Sequence, residues 1–189
     1  LYMVNNRGRG VTPPENSLRD PLSGLGFTYL LTGWINEIEE QPGRLRLHAP
    51  IVGSEREPIT GDVRYEVSVS RASNDINIAG GGHLAYEPTE SGLRKARLSE
   101  RAYLKDPRVP IERSQFALTV DDSPNSNQKR IHLNVNGGLR PGVIYELIYE
   151  AKNPVLAGSG MAAIRDLVAL IRFEDGESGQ LKGLGLPDI

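Results

Sequence analysis

One short segment of the chain combines residue types that serine hydrolases and nucleotide-binding proteins use. Gly158, Ser159 and Gly160 come between an apolar run and the apolar segment 161–173. A serine on a glycine-flanked turn is how a hydrolase exposes its nucleophile, and glycines before a helix are how a dinucleotide-binding unit holds phosphate. A third interpretation is that the segment only starts a helix, with Ser159 helping to cap it.

Neighbouring residues argue against both chemical interpretations. The Gly-x-Ser-x-Gly pattern requires glycine at the positions of Ala157 and Met161, and all three histidines of the chain precede the serine, whereas in α/β-hydrolases the histidine follows it. Gly158, Gly160 and Ala163 match a dinucleotide pattern, but the acidic pair at 174–175 follows too soon for a helix, a turn and a strand to fit. The sequence therefore favours a helix start.

Two further sets of residues have the chemistry of metal ligands. Segment 121–127 places oxygen-bearing side chains at alternate positions, but a calcium loop needs glycine and glutamate where the chain has Ser126 and His132. A polar turn explains this segment better. His48, His83 and His132 are widely spaced along the chain, so the sequence predicts no metal site and no cofactor.

Composition excludes several classes of function. The chain has 189 residues, with 22 basic and 24 acidic side chains, and therefore lacks the basic excess of a nucleic-acid-binding or anionic-membrane-binding protein. Its apolar segments fall short of the roughly 20 residues that a membrane helix needs. The absence of cysteine excludes disulfides and thiolate chemistry but leaves the compartment open between cytoplasm and periplasm.

Period-2 alternation of polar and apolar residues dominates the middle of the chain. The pattern is clear at 44–50, 63–70, 114–121 and 129–136, and weaker at 76–88 and 95–104. Half-buried antiparallel strands show this alternation, so we expect a β-sandwich or barrel-like module of six or seven strands over 44–140.

The flanking segments have a different pattern. Residues 1–4 and the continuous apolar run 26–35 predict strands, the second of the kind buried on both faces of a parallel sheet. Segment 143–151 predicts another strand, and 161–173 predicts a helix that is apolar almost all round and therefore packed on more than one side. Trp34, next to Gly33, either lines a pocket or belongs to the core.

Several of these segments resemble a bacterial family of large α/β-hydrolase-domain proteins, most of them uncharacterised hydrolases or esterases. The resemblance is dense at 140–173 and extends to YMVNNRG (2–8) and GFTYLLTGW (26–34), while it is thin across 53–128. The matching positions are Pro141-Gly142, Tyr145-Glu146, Asn153-Pro154-Val155, Gly158-x-Gly160 and Ala162-Ala163-x-Arg165-Asp166-Leu167-Val168.

The resemblance implies a fold and an activity. It implies an α/β-hydrolase-like portion with a large inserted antiparallel β module: core pieces at 1–43 and 141–189, and the insertion at 44–140. It also implies a serine esterase acting on a small-molecule acyl ester. The nucleophile, acid and histidine would lie outside this chain, in a missing segment or a second chain, and the chain would be an internal portion. By position, the backbone N–H groups of Asn6 and Arg7 would be oxyanion-hole candidates.

A different class of function stays open. The alternative is a non-catalytic β-rich module that binds a ligand such as a carbohydrate. That interpretation predicts an exposed aromatic face, for which Tyr65, Tyr86 and Tyr103 are the candidates.

Overall fold

A computed structural model describes residues 2–6, 29–33, 35–39, 46–54, 56–80, 82–121 and 128–173 of the chain. The chain divides into two compact units, Leu1–Val155 and Leu156–Ile189. All the described strands belong to the first unit, and the described part of the second unit contains one long helix.

Ten strands and two α-helices are present in the described ranges. The strands are Tyr2–Asn6 (β1), Tyr29–Gly33 (β2), Thr60–Val67 (β3), Ser73–Asn77 (β4), Ala85–Tyr86 (β5), Arg97–Arg101 (β6), Val109–Ile111 (β7), Phe116–Asp121 (β8), Gln128–Leu139 (β9) and Ile144–Lys152 (β10). The helices are Glu90–Arg94 (α1) and Ser159–Phe173 (α2), and a 3₁₀ turn at Arg113–Gln115 leads into β8.

Two antiparallel sheets share one hydrophobic core and so form a β-sandwich. The first sheet has the strand order β3-β10-β6-β7. In the second sheet, β9 pairs with β4, β5 and β8. The long strands β9 and β10 supply most of the large side chains that are fully buried, namely Ile131, Leu133, Leu139, Tyr145, Leu147 and Tyr149.

Strand β10 shows why the sequence folds this way. Tyr145, Leu147 and Tyr149 alternate along the strand and are buried in the core, while the residues between them belong to the outer face of the sheet. Burying each such large side chain stabilises the fold by about 1.5–3 kcal/mol, so three at alternate positions fix both the face and the register of the strand.

The predicted fold class, an α/β-hydrolase-like portion with an inserted module, is wrong. In the described residues both large sheets are antiparallel, and strands do not alternate with helices. The strand predicted at 143–151, which the resemblance assigned to the α/β core, is present as β10. It instead lies between β3 and β6 in an antiparallel sheet.

Other local predictions have mixed outcomes. The strands expected near 1–4 and 26–35 are present as β1 and β2, and they pair in parallel, with Tyr2 opposite Tyr29 and Asn6 opposite Gly33. The alternating segments at 63–70, 114–121 and 129–136 overlap β3, β8 and β9, and the weaker segments at 76–88 and 95–104 include β5 and β6. Strand β4 lies mostly between the predicted segments, and the described residues 46–50 of the segment predicted at 44–50 are not a strand. The boundaries predicted at 43 and 140 stay predictions.

The helix predicted at 161–173 is confirmed as α2, but its predicted burial is wrong. No described side chain of α2 is buried, and Met161, Val168 and Phe173 are exposed. Its half-buried residues follow one stripe, Ile164, Leu167, Leu170 and Ile171. Because these positions are three or four residues apart, α2 is an amphipathic helix with one partly covered face.

Candidate functional site

The short helix α1 lies beside β10, on the side away from β3, and forms one wall of a cavity. Thr89 caps the helix: its Oγ1 accepts a hydrogen bond from the Gly92 N–H at 2.8 Å and donates one to Glu150 Oε1 at 2.6 Å. Gly92 touches the β10 backbone, since a Cβ atom there would lie 2.0 Å from the Glu150 carbonyl oxygen. Only glycine permits this approach.

The other end of α1 is held by an arginine from a neighbouring segment. The Arg113 guanidinium donates to the carbonyl oxygens of Leu93 at 2.9 Å and Arg94 at 3.3 Å, which the helix itself leaves unpaired. The same guanidinium stacks on the Phe116 ring, 4.6 Å from its centroid. Both ends of α1 are therefore fixed to the sandwich, although five residues alone would not form a stable helix.

Beside α1 the sheet leaves a cavity of about 320 Å³. This volume is at the small end of the range for ligand pockets in proteins. Its lining contains side chains from α1 and from three strands of the first sheet, including Asp62, Ser91, Lys95, Arg97, Ile148 and Glu150. The walls thus combine charged and polar side chains with the apolar surfaces of Ile148 and Tyr149.

The charges around this cavity are not equivalent. Asp62 forms an ion pair with Arg97, whose Nη2 lies 3.0 Å from the Asp62 Oδ2, whereas Glu150 accepts a hydrogen bond from the uncharged Thr89 hydroxyl. The Lys95 ammonium has no ion-pair partner among the described residues. Lys95 is therefore a cation of the cavity lining that is left to bind an anion.

A network of arginines and glutamates continues along the same face of the sheet. Glu146, 4% exposed, accepts two hydrogen bonds from Arg108, and Arg64 lies 3.7 Å from it. The hydrogen bonds from Arg108 hold the pKa of Glu146 below its ordinary value against the opposing effect of burial, and they raise the pKa of Arg108. Buried Arg101 pairs with Glu66, while its Nε has no hydrogen-bond partner in the described part of the chain.

Of the predicted oxyanion-hole and pocket residues, the structure describes only Asn6. Asn6 is the last residue of β1 and pairs with Gly33 of β2. Arg7 and Trp34 lie outside the described residues, as do 122–127 of the polar loop and the acidic pair at 174–175. Neither the oxyanion-hole hypothesis nor the pocket hypothesis for Trp34 is tested by the structure.

The glycine-serine segment is a helix start. Ser159 is the first residue of α2, and Gly158 before it has a φ of +80°, a left-handed conformation that glycine adopts without strain. This agrees with the structural interpretation of the segment.

His132 has the closest carboxylate contacts of the three histidines. It lies on the outer face of β9, where its Nδ1 is 2.6 Å from Asp75 Oδ2 and its Nε2 is 3.7 Å from Asp121 Oδ2. All three side chains are partly exposed. Among the described residues no group of three or more histidine, aspartate or glutamate side chains is arranged to hold a metal ion.

The three tyrosines considered for carbohydrate binding do not form a common platform. The Tyr65 ring stacks on Tyr149, with 5.9 Å between centroids, and its hydroxyl accepts a hydrogen bond from the Tyr86 N–H. Tyr65 and Tyr86 therefore pack against the core, where burial raises the pKa of both. Tyr103 is 75% exposed in the turn after β6.

Sequence reasoning missed α1 and the cavity beside it. A signal was present, because Pro88-Thr89-Glu90 has a capping residue followed by an acid, the pattern of a helix N-terminus. The helix is too short to show a hydrophobic period, and Asp62, Arg97 and Glu150 come to line one cavity only because distant strands pair. No local pattern encodes that pairing.

The fold and the site define an antiparallel β-sandwich with a polar cavity on the outer face of one sheet. Comparisons with protein-family models, curated proteins and solved structures found no match for the chain. None of the described helices is both long enough and apolar enough to cross a membrane.

Proposed function

We propose that this chain is a ligand-binding module whose cavity beside α1 holds a small organic anion, such as a carboxylate. The observation that carries the proposal is that the Lys95 ammonium has no ion-pair partner among the described residues, whereas Asp62 of the same lining is paired with Arg97. Arg97 adds a second cation that its pair with Asp62 holds in place. Ser91 is a further hydrogen-bonding side chain in the lining, and Ile148 is an apolar one.

The rigidity of the surrounding elements supports this function. Asp62, Arg97 and Glu150 are on paired strands of one sheet, and α1 is held at both ends. A site with fixed walls loses less conformational entropy on binding than a site made of mobile loops. Binding to a rigid, solvent-accessible cavity of this size is expected to be weak to moderate and to depend on salt concentration.

Calorimetric titration with succinate, citrate and inorganic phosphate tests the proposal, with neutral 1,4-butanediol as a control ligand. We expect saturable binding of at least one anion, weakened about tenfold or more by Lys95→Gln, because a charged hydrogen bond contributes about 1.5–3 kcal/mol. The matched control is Lys105→Gln, an exposed lysine outside the cavity lining. Equal affinities of the two variants would contradict the proposal.

A second candidate function is the ester hydrolysis that the family resemblance implies, with the serine, acid and histidine supplied from outside residues 1–189. The specific observation in its favour is that β1 and β2 are parallel, with Asn6 at the carboxyl end of β1. Loops at the carboxyl ends of parallel strands commonly carry binding and catalytic groups. The chain and its Ser159→Ala variant should hydrolyse p-nitrophenyl acetate at equal rates. A rate that depends on Ser159 would contradict the proposal that the catalytic serine lies outside residues 1–189.

A further inference from the structure

Strand β3 is an eight-residue strand at the edge of the first sheet. In the part of the chain that the structure describes, it pairs with β10 and with no other strand. The opposite edge of the sheet is β7, which has three residues and contains Pro110. A short edge strand with proline resists further pairing, whereas a long edge strand without proline offers a row of N–H and C=O groups to another strand.

The backbone of β10 shows which β3 residues offer those groups. On the side away from β3, the Glu150 carbonyl accepts from the Thr89 N–H, and the Lys152 N–H donates to the Glu87 carbonyl. Since backbone groups alternate in direction along a strand, the odd-numbered residues of β10 point toward β3. They are paired with the odd-numbered residues of β3. The N–H and C=O groups of Asp62, Arg64 and Glu66 therefore point to the open edge.

The side chains of these same three residues alternate in charge, negative, positive and negative, and all three residues are exposed. Two copies of β3 that pair antiparallel around Val63 place Asp62 of each copy opposite Arg64 of the other. Pairing around Tyr65 places Arg64 opposite Glu66. Pairing around Arg64 itself would put like charges opposite each other, which is unfavourable.

We infer that β3 is a self-association surface, and that two copies of this chain pair through it to join their sheets into one continuous antiparallel sheet. The charge pattern favours a second copy of this chain as the partner. Opposite charges face each other when the two copies pair around Val63 or around Tyr65, and like charges face each other when they pair around Arg64. The other long edge strand, β8, lacks this property: Ala117, Thr119 and Asp121, its exposed positions, include no cation. The Arg64 variants separate this inference from the anion cavity, whose lining includes Asp62 but not Arg64.

Sedimentation velocity over a range of protein concentrations measures the association. We expect wild type to shift from the mass of one chain, 20.7 kDa, to twice that value as concentration rises. Arg64→Glu should weaken the dimer by about tenfold or more, since it creates two like-charge contacts across the symmetry axis. Lys105→Glu, a charge reversal in the exposed turn between β6 and β7, is the matched control and should leave the dimer unchanged.

Arg64→Pro tests the backbone contribution separately from charge. Because the Arg64 N–H points away from β10, proline there removes a donor at the open edge without removing a hydrogen bond to β10. The variant should keep the circular dichroism of wild type and lose dimer. If it does not fold, Arg64→Glu and Arg64→Ala still decide the matter, with a larger loss expected for glutamate than for alanine.

A mixing experiment assigns the register. If the copies pair around Val63, Asp62→Arg and Arg64→Glu should each be monomeric alone and form a heterodimer when mixed. If they pair around Tyr65, Asp62→Arg should still dimerise alone. Both results support self-association through β3. A wild-type chain that stays monomeric at all concentrations, or a dimer that Arg64→Glu does not weaken, would overturn the inference.

Discussion

Arg108 binds both carboxylate oxygens of Glu146 on the outer face of the first sheet. Its Nε donates to Oε1 at 2.7 Å and its Nη2 donates to Oε2 at 2.9 Å. The two side chains differ in environment, since Glu146 is 5% exposed and Arg108 is 45% exposed. The charge of the buried Glu146 carboxylate is thus stabilised by a cation that reaches it from the surface. For this reason we expect both a change of pH and a mutation of Arg108 to alter the stability of the fold.

We expect Arg108→Ala to lower the thermal midpoint at neutral pH. The pKa of Glu146 is lowered in the fold, chiefly by its hydrogen bonds with Arg108, so the pair stabilises the protein above the ordinary glutamate value of 4.5. This stabilisation is lost as the pH falls through the lowered pKa. The difference in midpoint between wild type and variant should therefore shrink in acid, as measured by thermal unfolding from pH 7 downward.

The control for this experiment is Arg94→Ala, which removes an ion pair with Glu90 in which both side chains are mostly exposed. Such a pair contributes little, and its removal should change the midpoint only slightly at any pH. A pH-independent difference for Arg108→Ala would show that Arg108 acts by packing alone.

Gly92→Ala should destabilise the sandwich and displace α1. The new Cβ would lie 2.0 Å from the Glu150 carbonyl oxygen, which is backbone and cannot rotate away. Forced overpacking costs about 1–3 kcal/mol, and urea unfolding measures it. Gly61→Ala on β3 is the matched control, because a Cβ added there would meet no atom within 4 Å and the φ of Gly61 is not positive. Similar losses in both variants would contradict the close contact of α1 with β10.

The sequence predicted the strands far better than their arrangement. Period-2 alternation located β3, β8 and β9 because one face of each packs on the core and the other faces outward. The same alternation cannot say which strands pair. The position of β10 between β3 and β6 depends on contacts between residues far apart in sequence, so the strand was assigned to a different kind of sheet.

Helix α2 illustrates a second limit. Its high apolar content predicted burial on several sides. Apolar content indicates how much free energy a helix would gain from burial, but it does not show whether other elements of the fold bury it. The positions that are half-buried, such as Ile164 and Leu167, follow the helical period, while Met161 and Phe173 lie on exposed positions of the same helix. The cavity beside α1 could not be predicted from the sequence either, because, like the pairing of β10, it depends on residues that are far apart in sequence.

His132→Gln should leave stability nearly unchanged. The contact of His132 Nδ1 with Asp75 Oδ2 is short, 2.6 Å, but the two side chains are 26% and 47% exposed. Exposed pairs contribute about 0–1 kcal/mol, so urea unfolding should show a change within that range. Leu133→Ala, at the neighbouring fully buried position of β9, is the contrast and should cost about 2–5 kcal/mol. A loss in His132→Gln comparable to that of Leu133→Ala would mean that the outer face of β9 is covered.

The free energy of unfolding should fall as the pH rises above the ordinary tyrosine value of 10.0, and Tyr149 should account for much of that fall. Burial, followed by the proximity of Tyr65, raises the pKa of Tyr149. Above the ordinary value the unfolded chain releases this proton while the folded protein keeps it, so alkali favours unfolding. Tyr149→Phe should reduce this pH dependence while losing the hydrogen bond to the Tyr86 carbonyl, worth about 1 kcal/mol at neutral pH. Tyr103→Phe, at a 75% exposed position, should leave the pH dependence unchanged. Equal effects of the two variants in urea unfolding from pH 8 to pH 11 would contradict the burial of the Tyr149 hydroxyl.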